Sequence, residues 1–351
     1  MDWFRRFLGL QPTDNEEATE SAVQPAKPIA TDAPTQPNPI GKKENLAPSM
    51  ETLPKRPRDL PPSELDTDEA DMIAADGRTR KLPPLETVQP EVGHQLVYGQ
   101  LSDVGQMRDN NQDAVLSFVS SASLSQAAPN FGLFVVADGM GGHENGERAS
   151  AIATRVIAKH VIDEIFIPSL SGEIGSSADR PTITEVLREA VQQANHVVSE
   201  QVPDGGTTVT TAAIIGHAAY LAHVGDSRAY LITDEFIEQI TRDHSLVQRL
   251  IELDQLTPED AVEHPQRNVL YRALGQNDHL DVDPVFRQLP PGAFLLICSD
   301  GLWNLVKREE IQQIVLEERD TPQQACQRLV EMANDRGGTD NITVIIVRVP
   351  N

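Results

Sequence analysis

An apolar run that stops at an aspartate restricts the fold of this chain more than any other feature of its sequence. The residues FVVA lead directly into Asp138 and Gly139. A Val-rich run bounded by glycine is typical of a buried strand, which places Asp138 at the exit of a strand. The next residues, MGG, permit a tight turn because glycine has no Cβ, and a helix is expected from about Asn145. For one Asp-Gly pair alone, a simple capping role is the alternative.

Two more aspartates lie at the ends of apolar runs in distant parts of the chain. Asp300 follows the run AFLLICS, and Asp340 precedes the run ITVIIVRV. Three carboxylates at the ends of buried strands repel one another unless a cation neutralises them. Because no Cys or His residues stand at metal-ligand spacing, the oxygen ligands indicate Mg²⁺ or Mn²⁺ and argue against zinc.

Five sequence blocks, found in a fixed order, carry a resemblance to a known family. They are SDVGQMRDNNQDA, VVADGMGGH, GGTTVTTAAI, LAHVGDSRAYLI with TRDHSL after it, and the pair SDGLW and GGTDNIT. Through these blocks, the chain from about Gly93 to Val349 resembles the metal-dependent type 2C Ser/Thr protein phosphatases (the PPM family), in the form common in bacteria. One block alone is a weak signal, whereas five in the correct order and spacing are highly specific.

The fold that this resemblance implies is α+β, a four-layer αββα sandwich of two antiparallel β-sheets flanked by helix pairs. A metal cleft lies at one end of the sandwich. Apolar periodicity independently predicts helices at about 145–167, 182–202 and 321–335, each with one face packed on a sheet. The short apolar runs between 208 and 240 predict a succession of strands joined in an antiparallel meander.

The resemblance also implies a role for each strand-end carboxylate. Asp138 bridges two tightly bound ions, Mn²⁺ or Mg²⁺, and the carbonyl of Gly139 holds the second of them. Asp300 and Asp340 hold the first ion. Asp226, in the turn VGDSR, becomes a ligand of a weaker third ion that it shares with Asp300. From the residues alone, the alternative for Asp226 is an Asx-type turn.

The segment RDNNQD supplies further site residues by the same resemblance. Arg108 grips the substrate phosphate, for which a guanidinium offers two parallel hydrogen bonds. Asp113 lies behind the metal, with a water between them. Gln112 occupies a position where other members carry glutamate, so this site has one negative charge fewer. Met140 stands where some members carry a histidine that acts as general acid; methionine cannot donate a proton, which leaves water or a nearby residue such as His143.

The implied function is hydrolysis of phosphoserine and phosphothreonine in proteins, by attack of a hydroxide that bridges the two metal ions. The phosphorylated protein substrates would be those of a Ser/Thr kinase that the enzyme counters. A catalytically silent phosphoprotein-binding module is one alternative, disfavoured by the intact carboxylates. A phosphatase of small phosphoesters is another, because the segment 243–275, a mobile flap in the family, would decide substrate size. His244 and His264 in this segment could be acid-base groups, but they are interpreted as polar surface residues, because no positioned partner is evident.

The first 92 residues differ in composition from the rest. They hold more than half of the chain's 25 prolines and almost no periodic apolar pattern. Such a segment cannot bury enough apolar surface to offset the entropy of ordering it. Residues 1–92 are therefore expected to be a disordered leader, and residues 93–351 the catalytic domain. The aromatic residues of 2–10 recur at helical spacing, which indicates a motif that docks on a partner or, less favoured, on a membrane surface; the alternative is a chance pattern.

Charge and composition restrict the partners and the compartment. The net charge of -24 argues against nucleic acid as a partner, because binding a phosphate backbone requires a basic surface. No apolar run reaches the roughly 18 residues of a transmembrane segment, and the N-terminal residues lack the pattern of a signal peptide. Cys298 and Cys326 provide neither a disulfide framework nor a zinc pattern. These features predict a cytoplasmic protein.

Overall fold

Two antiparallel β-sheets packed face to face, with helices on their outer faces, form the described part of this protein. The computed structural model describes residues 95–120, 130–141, 144–170 and 181–351. The predicted α+β, four-layer arrangement is confirmed. The predictions for the leader, for its segment 2–10 and for His143 lie outside the described residues.

Each sheet combines strands from distant parts of the chain. The strands of the first sheet are β1 (Val97–Asp103), β7 (Arg228–Ile232), β8 (Ile237–Gln239), β10 (Phe294–Cys298) and β11 (Ile342–Arg348). They lie in the order β1-β11-β10-β7-β8. The strands of the second sheet are β2 (Asp113–Ser120), β3 (Phe131–Met140), β4 (Gly206–Thr207), β5 (Val209–Ile215), β6 (Ala218–Val224) and β9 (Asp283–Gln288). Their order is β2-β3-β5-β6-β9, and β4 pairs with β3.

The helices confirm the positions that apolar periodicity predicts. They are α1 (Glu144–Val161), α2 (Ile183–Gln201), α3 (Leu246–Glu252), α4 (Pro258–Val262), α5 (Asp300–Trp303), α6 (Arg308–Glu317) and α7 (Pro322–Asp335). α1 continues through a π-helical turn to residue 170. A capping box at Thr182 and Glu185 starts α2. None of the helices in the described segments is both long and apolar enough to cross a membrane.

Strand β3 shows how the layers are held together. Its side chains alternate between the two faces of the sheet. Leu133 and Val135 pack against α1 and α2, whereas Phe134 and Val136 pack against the first sheet. All four side chains are fully buried. Burial of a side chain of this kind contributes about 1.5–3 kcal/mol to stability. β3 is therefore packed tightly between the helices and the first sheet, and this packing fixes the position of the strand end that carries Asp138.

The predicted meander between residues 208 and 240 is wrong. β5 and β6 pair in the second sheet, whereas β7 and β8 pair in the first. The chain therefore crosses from one sheet to the other between Val224 and Arg228. The side chains of β6 and β7 are largely buried on both faces, so their apolar sequence does not show which sheet each strand joins. This crossing carries Asp226 to the interface of the two sheets.

Candidate metal centre

Asp113 and Asp138 face each other across neighbouring strands. They are partners in the register of β2 and β3. The main chain of Asp138 is fixed from its other side, since its N–H donates to the hydroxyl of Thr208 at 3.1 Å and its carbonyl accepts from the N–H of Thr208 at 2.8 Å. The hydroxyl of Thr207 also donates to that carbonyl, at 2.9 Å. The two carboxylates are therefore held at one end of the second sheet.

Asp113 connects the two sheets and has a free acceptor oxygen. The hydroxyl of Ser299, which follows β10 in the first sheet, donates to Oδ2 of Asp113 at 2.8 Å. The same hydroxyl accepts from the N–H of Thr343 in β11 at 2.9 Å. Oδ1 of Asp113 is buried and has no hydrogen-bond partner among the described residues. Burial raises the pKa of Asp113 to about 6, although hydrogen bonds from Thr343 and Ser299 oppose the rise.

The first sheet brings Asp300 and Asp340 to the same end of the sandwich. Asp300 begins α5 immediately after β10, and Asp340 lies two residues before β11. Burial raises the pKa of Asp300 well above its ordinary value, and the charges of Asp226, Asp340 and Asp113 add to this rise. Burial likewise raises the pKa of Asp138, which Asp113, Asp300, Asp226 and Asp340 raise further. The five aspartates therefore share one electrostatic environment.

This environment fits a hydrated divalent cation. Among the described residues, no three Asp, Glu, His or Cys side chains lie in an arrangement that would enclose an ion by themselves. Hard cations such as Mg²⁺ keep several water ligands and need few protein oxygens. The unpartnered Oδ1 of Asp113 and the crowded negative charges around Asp138 and Asp300 are what such a cation would satisfy. The side-chain atoms that this cluster offers to a cation are carboxylate oxygens.

Arg108 stands at the open side of the cluster. Its guanidinium donates to Oδ2 of Asp340 at 2.6 Å, and half of its side chain is exposed. The hydrogen bond with Asp340 raises the pKa of Arg108. Within the described residues, the side-chain hydrogen bond of this guanidinium is that with Asp340, so its other N–H groups could receive an anion from solvent.

Asn341 holds the loop of Arg108 in place, and sequence reasoning missed this residue. Its side-chain amide donates to the carbonyls of Val104 and Asn110, both at 2.9 Å, and its Oδ1 accepts from the N–H of Gln112 at 2.8 Å. These three bonds bind the β1–β2 connection to the start of β11. The only signal in the sequence is the position of Asn341 next to Asp340, since nothing local shows which loop its amide would reach.

Gly139 is required by close packing at the strand end. A Cβ at this position would lie 2.3 Å from the carbonyl oxygen of Gly146 and 2.4 Å from that of Gln112. The N–H of Gly139 donates to the carbonyl of Gln112 at 3.1 Å, and the same carbonyl accepts from the hydroxyl of Ser150 at 2.6 Å. The end of β3 and the start of α1 therefore touch backbone to backbone. Met140 ends β3 and offers no proton donor.

Asp226 occupies a tight, buried turn between the sheets. Gly225 adopts a φ of 112°, and a Cβ there would lie 2.5 Å from that of Thr208. The indole N–H of Trp303 donates to the carbonyl of Asp226 at 3.0 Å. Burial raises the pKa of Asp226 to about 7, and Asp243 adds to this rise while Arg228 opposes it. The turn places the carboxylate beside Asp300, whose pKa it raises.

A buried ion pair supports this turn and was not predicted. Arg228 donates to both carboxylate oxygens of Asp243, at 2.7 Å to the nearer oxygen. The guanidinium also lies over the ring of Trp303, 3.5 Å from its centroid. Because the two partners are 15 residues apart and separated by β8, no local pattern indicates their pairing. The ion pair therefore fixes the indole of Trp303, which donates a hydrogen bond to the carbonyl of Asp226.

The interpretation of His244 as a surface residue is wrong. Its side chain is buried, and its two ring nitrogens face the N–H of Gly225 and the carboxylate of Asp283. Asp283 is distant in sequence, so the partner that allows the ring to be buried is invisible to local reasoning. His264, by contrast, is partly exposed and accepts at Nδ1 from the N–H of Gln266 within its own loop.

The chelated protein is expected to lose stability as the pH rises from 6.5 to about 8. Folding raises the pKa of Asp226 from 3.8 to about 7. Protonation of this carboxyl group therefore stabilises the folded state, fully at pH values below the unfolded pKa, and this stabilisation is lost as the pH rises through 7. Asp138 and Asp300 act in the same direction. Burial lowers the pKa of His223 from 6.5 to about 4 and also lowers that of His244, so both histidines act in the opposite direction, mostly below pH 7.

Urea unfolding midpoints in the presence of a chelator would measure this loss. With Mn²⁺ in place of the chelator, the urea midpoint at about pH 8 should recover, because a bound cation neutralises the carboxylates as protons do at lower pH. A midpoint that rises with pH in the chelator would contradict the prediction.

Comparison with known proteins places this chain in one family. The family profile described as Protein phosphatase 2C matches residues 106–339. Protein phosphatase PhpP of Streptococcus pneumoniae is 38% identical over 250 residues, which cover 70% of this chain and 95% of the relative. The Serine/threonine phosphatase stp of Listeria monocytogenes is 36% identical over 247 residues, which cover 70% of this chain and 93% of the relative.

Solved structures agree with the sequence relatives. The serine/threonine phosphatase PstP of Mycobacterium tuberculosis superposes with a TM-score of 0.60 at 32% identity, covering 73% of this chain and 99% of that chain. The catalytic domain of PstP in complex with 2 manganese ions superposes with a TM-score of 0.58 at 31% identity, again over 73% and 99% of the two chains. This chain belongs to the type 2C family of metal-dependent protein serine/threonine phosphatases.

Proposed function

We propose that this chain hydrolyses phosphoserine and phosphothreonine in phosphorylated proteins, with Mn²⁺ or Mg²⁺ at its carboxylate cluster. The observation that carries this proposal is the convergence of Asp113, Asp138, Asp226, Asp300 and Asp340 on one end of the sandwich, with Arg108 at its open side. Membership of the type 2C family supports it.

Each residue of the cluster has a task in this reaction. When bound, the two cations activate the attacking water and neutralise charge on the phosphate. Asp138 and the carbonyl of Gly139, from the second sheet, and Asp300 and Asp340, from the first sheet, hold them. Arg108 binds the non-bridging phosphate oxygens and keeps the phosphorus in line for attack.

The proton for the leaving oxygen does not come from the residue two positions after Asp138. This residue is Met140, whose thioether has no proton to give. In this proposal the leaving alkoxide takes its proton from water in the site or from another residue. The weaker third cation site, at Asp226 and Asp300, is part of the same proposal.

Kinetics on two kinds of substrate test this function. With Mn²⁺, the full-length protein should hydrolyse a phosphothreonine peptide with a higher kcat/KM than p-nitrophenyl phosphate. The reverse preference would favour a phosphatase of small phosphoesters. Binding of the peptide without hydrolysis of either substrate would favour a silent phosphoprotein-binding module.

A Ser/Thr protein kinase with shared substrates is the proposed biological counterpart, and the cytoplasm is the proposed compartment. The two cysteines, both free and buried, are consistent with a reducing environment. Comparing the phosphoproteomes of cells with the active protein and with an Asp300→Ala variant would test the kinase relation. The sites that gain phosphate should share the sequence preference of one kinase.

Deletion of residues 1–92 is expected to leave turnover of a short phosphopeptide within about twofold of the full-length value, an effect smaller than the loss of one hydrogen bond. The described fold from residue 95 onward already contains the cluster and both sheets. Steady-state kinetics with Mn²⁺ on the truncated and full-length proteins would measure this. Insoluble or inactive truncated protein would show that the leader is part of the catalytic domain.

The variant Asp226→Ala should keep the two tight cations and the KM for peptide, while kcat falls. The reason is that Asp226, in the crossing turn, acts on Asp300, whereas the carboxylate that Arg108 contacts is that of Asp340. Calorimetric titration with Mn²⁺ should lack a weak binding event that the unaltered protein shows.

A suitable control for this variant is Asp234→Ala. Asp234 is another turn aspartate, with 73% of its side chain exposed and paired with Arg319. If Asp226→Ala hydrolyses peptide at the unaltered rate, Asp226 is only the turn residue of the alternative interpretation.

A further inference from the structure

Thr208 holds both backbone polar groups of Asp138. This threonine is buried and immediately precedes β5. Its hydroxyl accepts from the N–H of Asp138 at 3.1 Å, and its own N–H donates to the carbonyl of Asp138 at 2.8 Å. Any displacement of this threonine therefore displaces the backbone of Asp138, and with it the carbonyl of Gly139 that follows.

The same hydroxyl reaches across to the first sheet. Oγ1 of Thr208 and Oγ of Ser227 lie 2.8 Å apart, in a hydrogen bond that either hydroxyl can donate. Ser227 is fully buried and immediately precedes β7. β7 pairs with β10, the strand that leads into Asp300. The contact therefore connects the strand end that carries Asp138 with the neighbour of the strand that leads to Asp300.

Close packing leaves the side chain of Thr208 little freedom. A Cβ at Gly225 would lie 2.5 Å from both Cβ and Cγ2 of Thr208, so the backbone of this glycine lies close to the methyl group. A rotation of the threonine side chain would also give up buried hydrogen bonds to Asp138 and Ser227. The hydroxyl therefore has one defined position between the two sheets.

A neighbouring threonine shows that these contacts do not follow from residue type. Thr211 is as deeply buried as Thr208, but its hydroxyl has no hydrogen-bond partner among the described residues. Threonine is favoured in strands in any case, so its repetition in this part of the sequence carries no information about a site. The contacts of its hydroxyl with both sheets single out Thr208.

We propose that Thr208 is a positioning residue for the carboxylate cluster: its hydroxyl, held by Ser227, sets the spacing between Asp138 on the second sheet and Asp300 on the first. This inference rests on the proposed function, in which both carboxylates hold the cations. The ligands of a metal site must be held within about 0.5 Å of the productive geometry. A buried hydrogen bond across the interface of the two sheets, close to both strand ends, maintains such a spacing.

Two substitutions separate the hydroxyl group of Thr208 from its methyl group. Thr208→Val keeps the shape of the side chain but removes the acceptor for the N–H of Asp138 and the contact with Ser227. Thr208→Ser keeps the hydroxyl and removes the methyl group that lies against Gly225. Both variants should lower the urea midpoint in a chelator, because each removes a buried interaction.

Only the loss of the hydroxyl is expected to weaken the binding of the cation. Calorimetric titration of the full-length proteins should find Mn²⁺ bound roughly 3- to 10-fold more weakly by Thr208→Val, the effect of one hydrogen bond. Thr208→Ser should bind Mn²⁺ with nearly the unaltered affinity. Ser227→Ala should resemble Thr208→Val, because it breaks the same link from the other sheet.

Kinetics at saturating Mn²⁺ should show the same separation. Thr208→Val is expected to lower kcat on a phosphothreonine peptide by a factor similar to its loss of Mn²⁺ affinity. KM should stay within about twofold of the unaltered value, because the proposed contact of Arg108 with the phosphate is not touched. Thr208→Ser should recover most of kcat.

Thr211→Val is the matched control, since it makes the same exchange at a buried threonine whose hydroxyl has no partner among the described residues. Its Mn²⁺ affinity and kcat should match those of the unaltered protein. The proposal is overturned if Thr208→Val binds Mn²⁺ with the unaltered affinity. It is also overturned if Thr208→Ser loses as much affinity as Thr208→Val, because Thr208 would then act only through packing.

The two proposals can fail separately. If the unaltered protein hydrolyses no phosphopeptide, the proposed function fails. The Mn²⁺ affinities of the Thr208 and Ser227 variants, which need no turnover, then still decide whether Thr208 positions the carboxylate cluster.

Discussion

The variant Asp300→Ala is expected to lose on the order of a thousandfold in kcat/KM on a phosphothreonine peptide, because a cation that stabilises the transition state by several kcal/mol loses a ligand. Asp300 stands at the start of α5, where it meets the charges of Asp226, Asp340 and Asp113. Excess Mn²⁺ should not restore the rate fully, since the missing oxygen belongs to the site itself.

Thermal melting distinguishes this loss of a ligand from a loss of folding. Without metal, Asp300→Ala should melt at or above the temperature of the unaltered protein, because it removes one charge from a crowded cluster. With Mn²⁺, the unaltered protein should gain stability and the variant should gain much less. The control is Asp320→Ala, an aspartate with 84% of its side chain exposed. Normal turnover by Asp300→Ala in excess metal would remove Asp300 from the proposed site.

The variant Arg108→Ala is expected to raise KM and to lower kcat, with a combined loss of about 2–4 kcal/mol of transition-state stabilisation. The guanidinium would contact the phosphate both before and during attack, so binding and chemistry both suffer. Arg108→Lys restores the charge without the planar pair of donors and should recover only part of the loss.

The affinity for Mn²⁺ separates the role of Arg108 from that of the aspartates. Arg108 donates to Asp340 at 2.6 Å, so its removal frees a carboxylate and takes away a positive charge. Calorimetry should therefore find Mn²⁺ bound at least as tightly by Arg108→Ala as by the unaltered protein. The control is Arg155→Ala, an exposed arginine whose side chain, among the described residues, donates to the carbonyl of Ala151 within α1. Weaker Mn²⁺ binding by Arg108→Ala would show that Arg108 organises the cluster instead of binding phosphate.

Local patterns predicted the parts of this protein whose environment is set by nearby residues. The apolar run before Asp138 is strand β3, and the periodic stretches at 182–202 and 321–335 are helices α2 and α7. In the two helices burial follows from one continuous apolar face, and in β3 it follows from an unbroken apolar run. The family resemblance, and not the patterns, supplied the individual roles of the aspartates and of Arg108.

Features that depend on contacts between distant residues escaped prediction. β6 and β7 follow each other in sequence but join different sheets. The amide of Asn341 reaches a loop more than 200 residues away, and the ion pair of Arg228 and Asp243 forms across an intervening strand. His244 is buried because its partners come from other elements. Sequence periodicity describes a face of one element and carries no information about which element will cover it.

The division of the carboxylates between the two sheets has a consequence for folding kinetics. Asp113 and Asp138 come from the second sheet, whereas Asp300 and Asp340 are attached to the first. If these aspartates hold the cation as proposed, a folding intermediate with only one completed sheet would hold only part of the donor set and so have little affinity for the cation. We therefore expect cation binding to follow docking of the sheets, so that Mn²⁺ would act mainly by slowing unfolding, with little effect on the rate of folding.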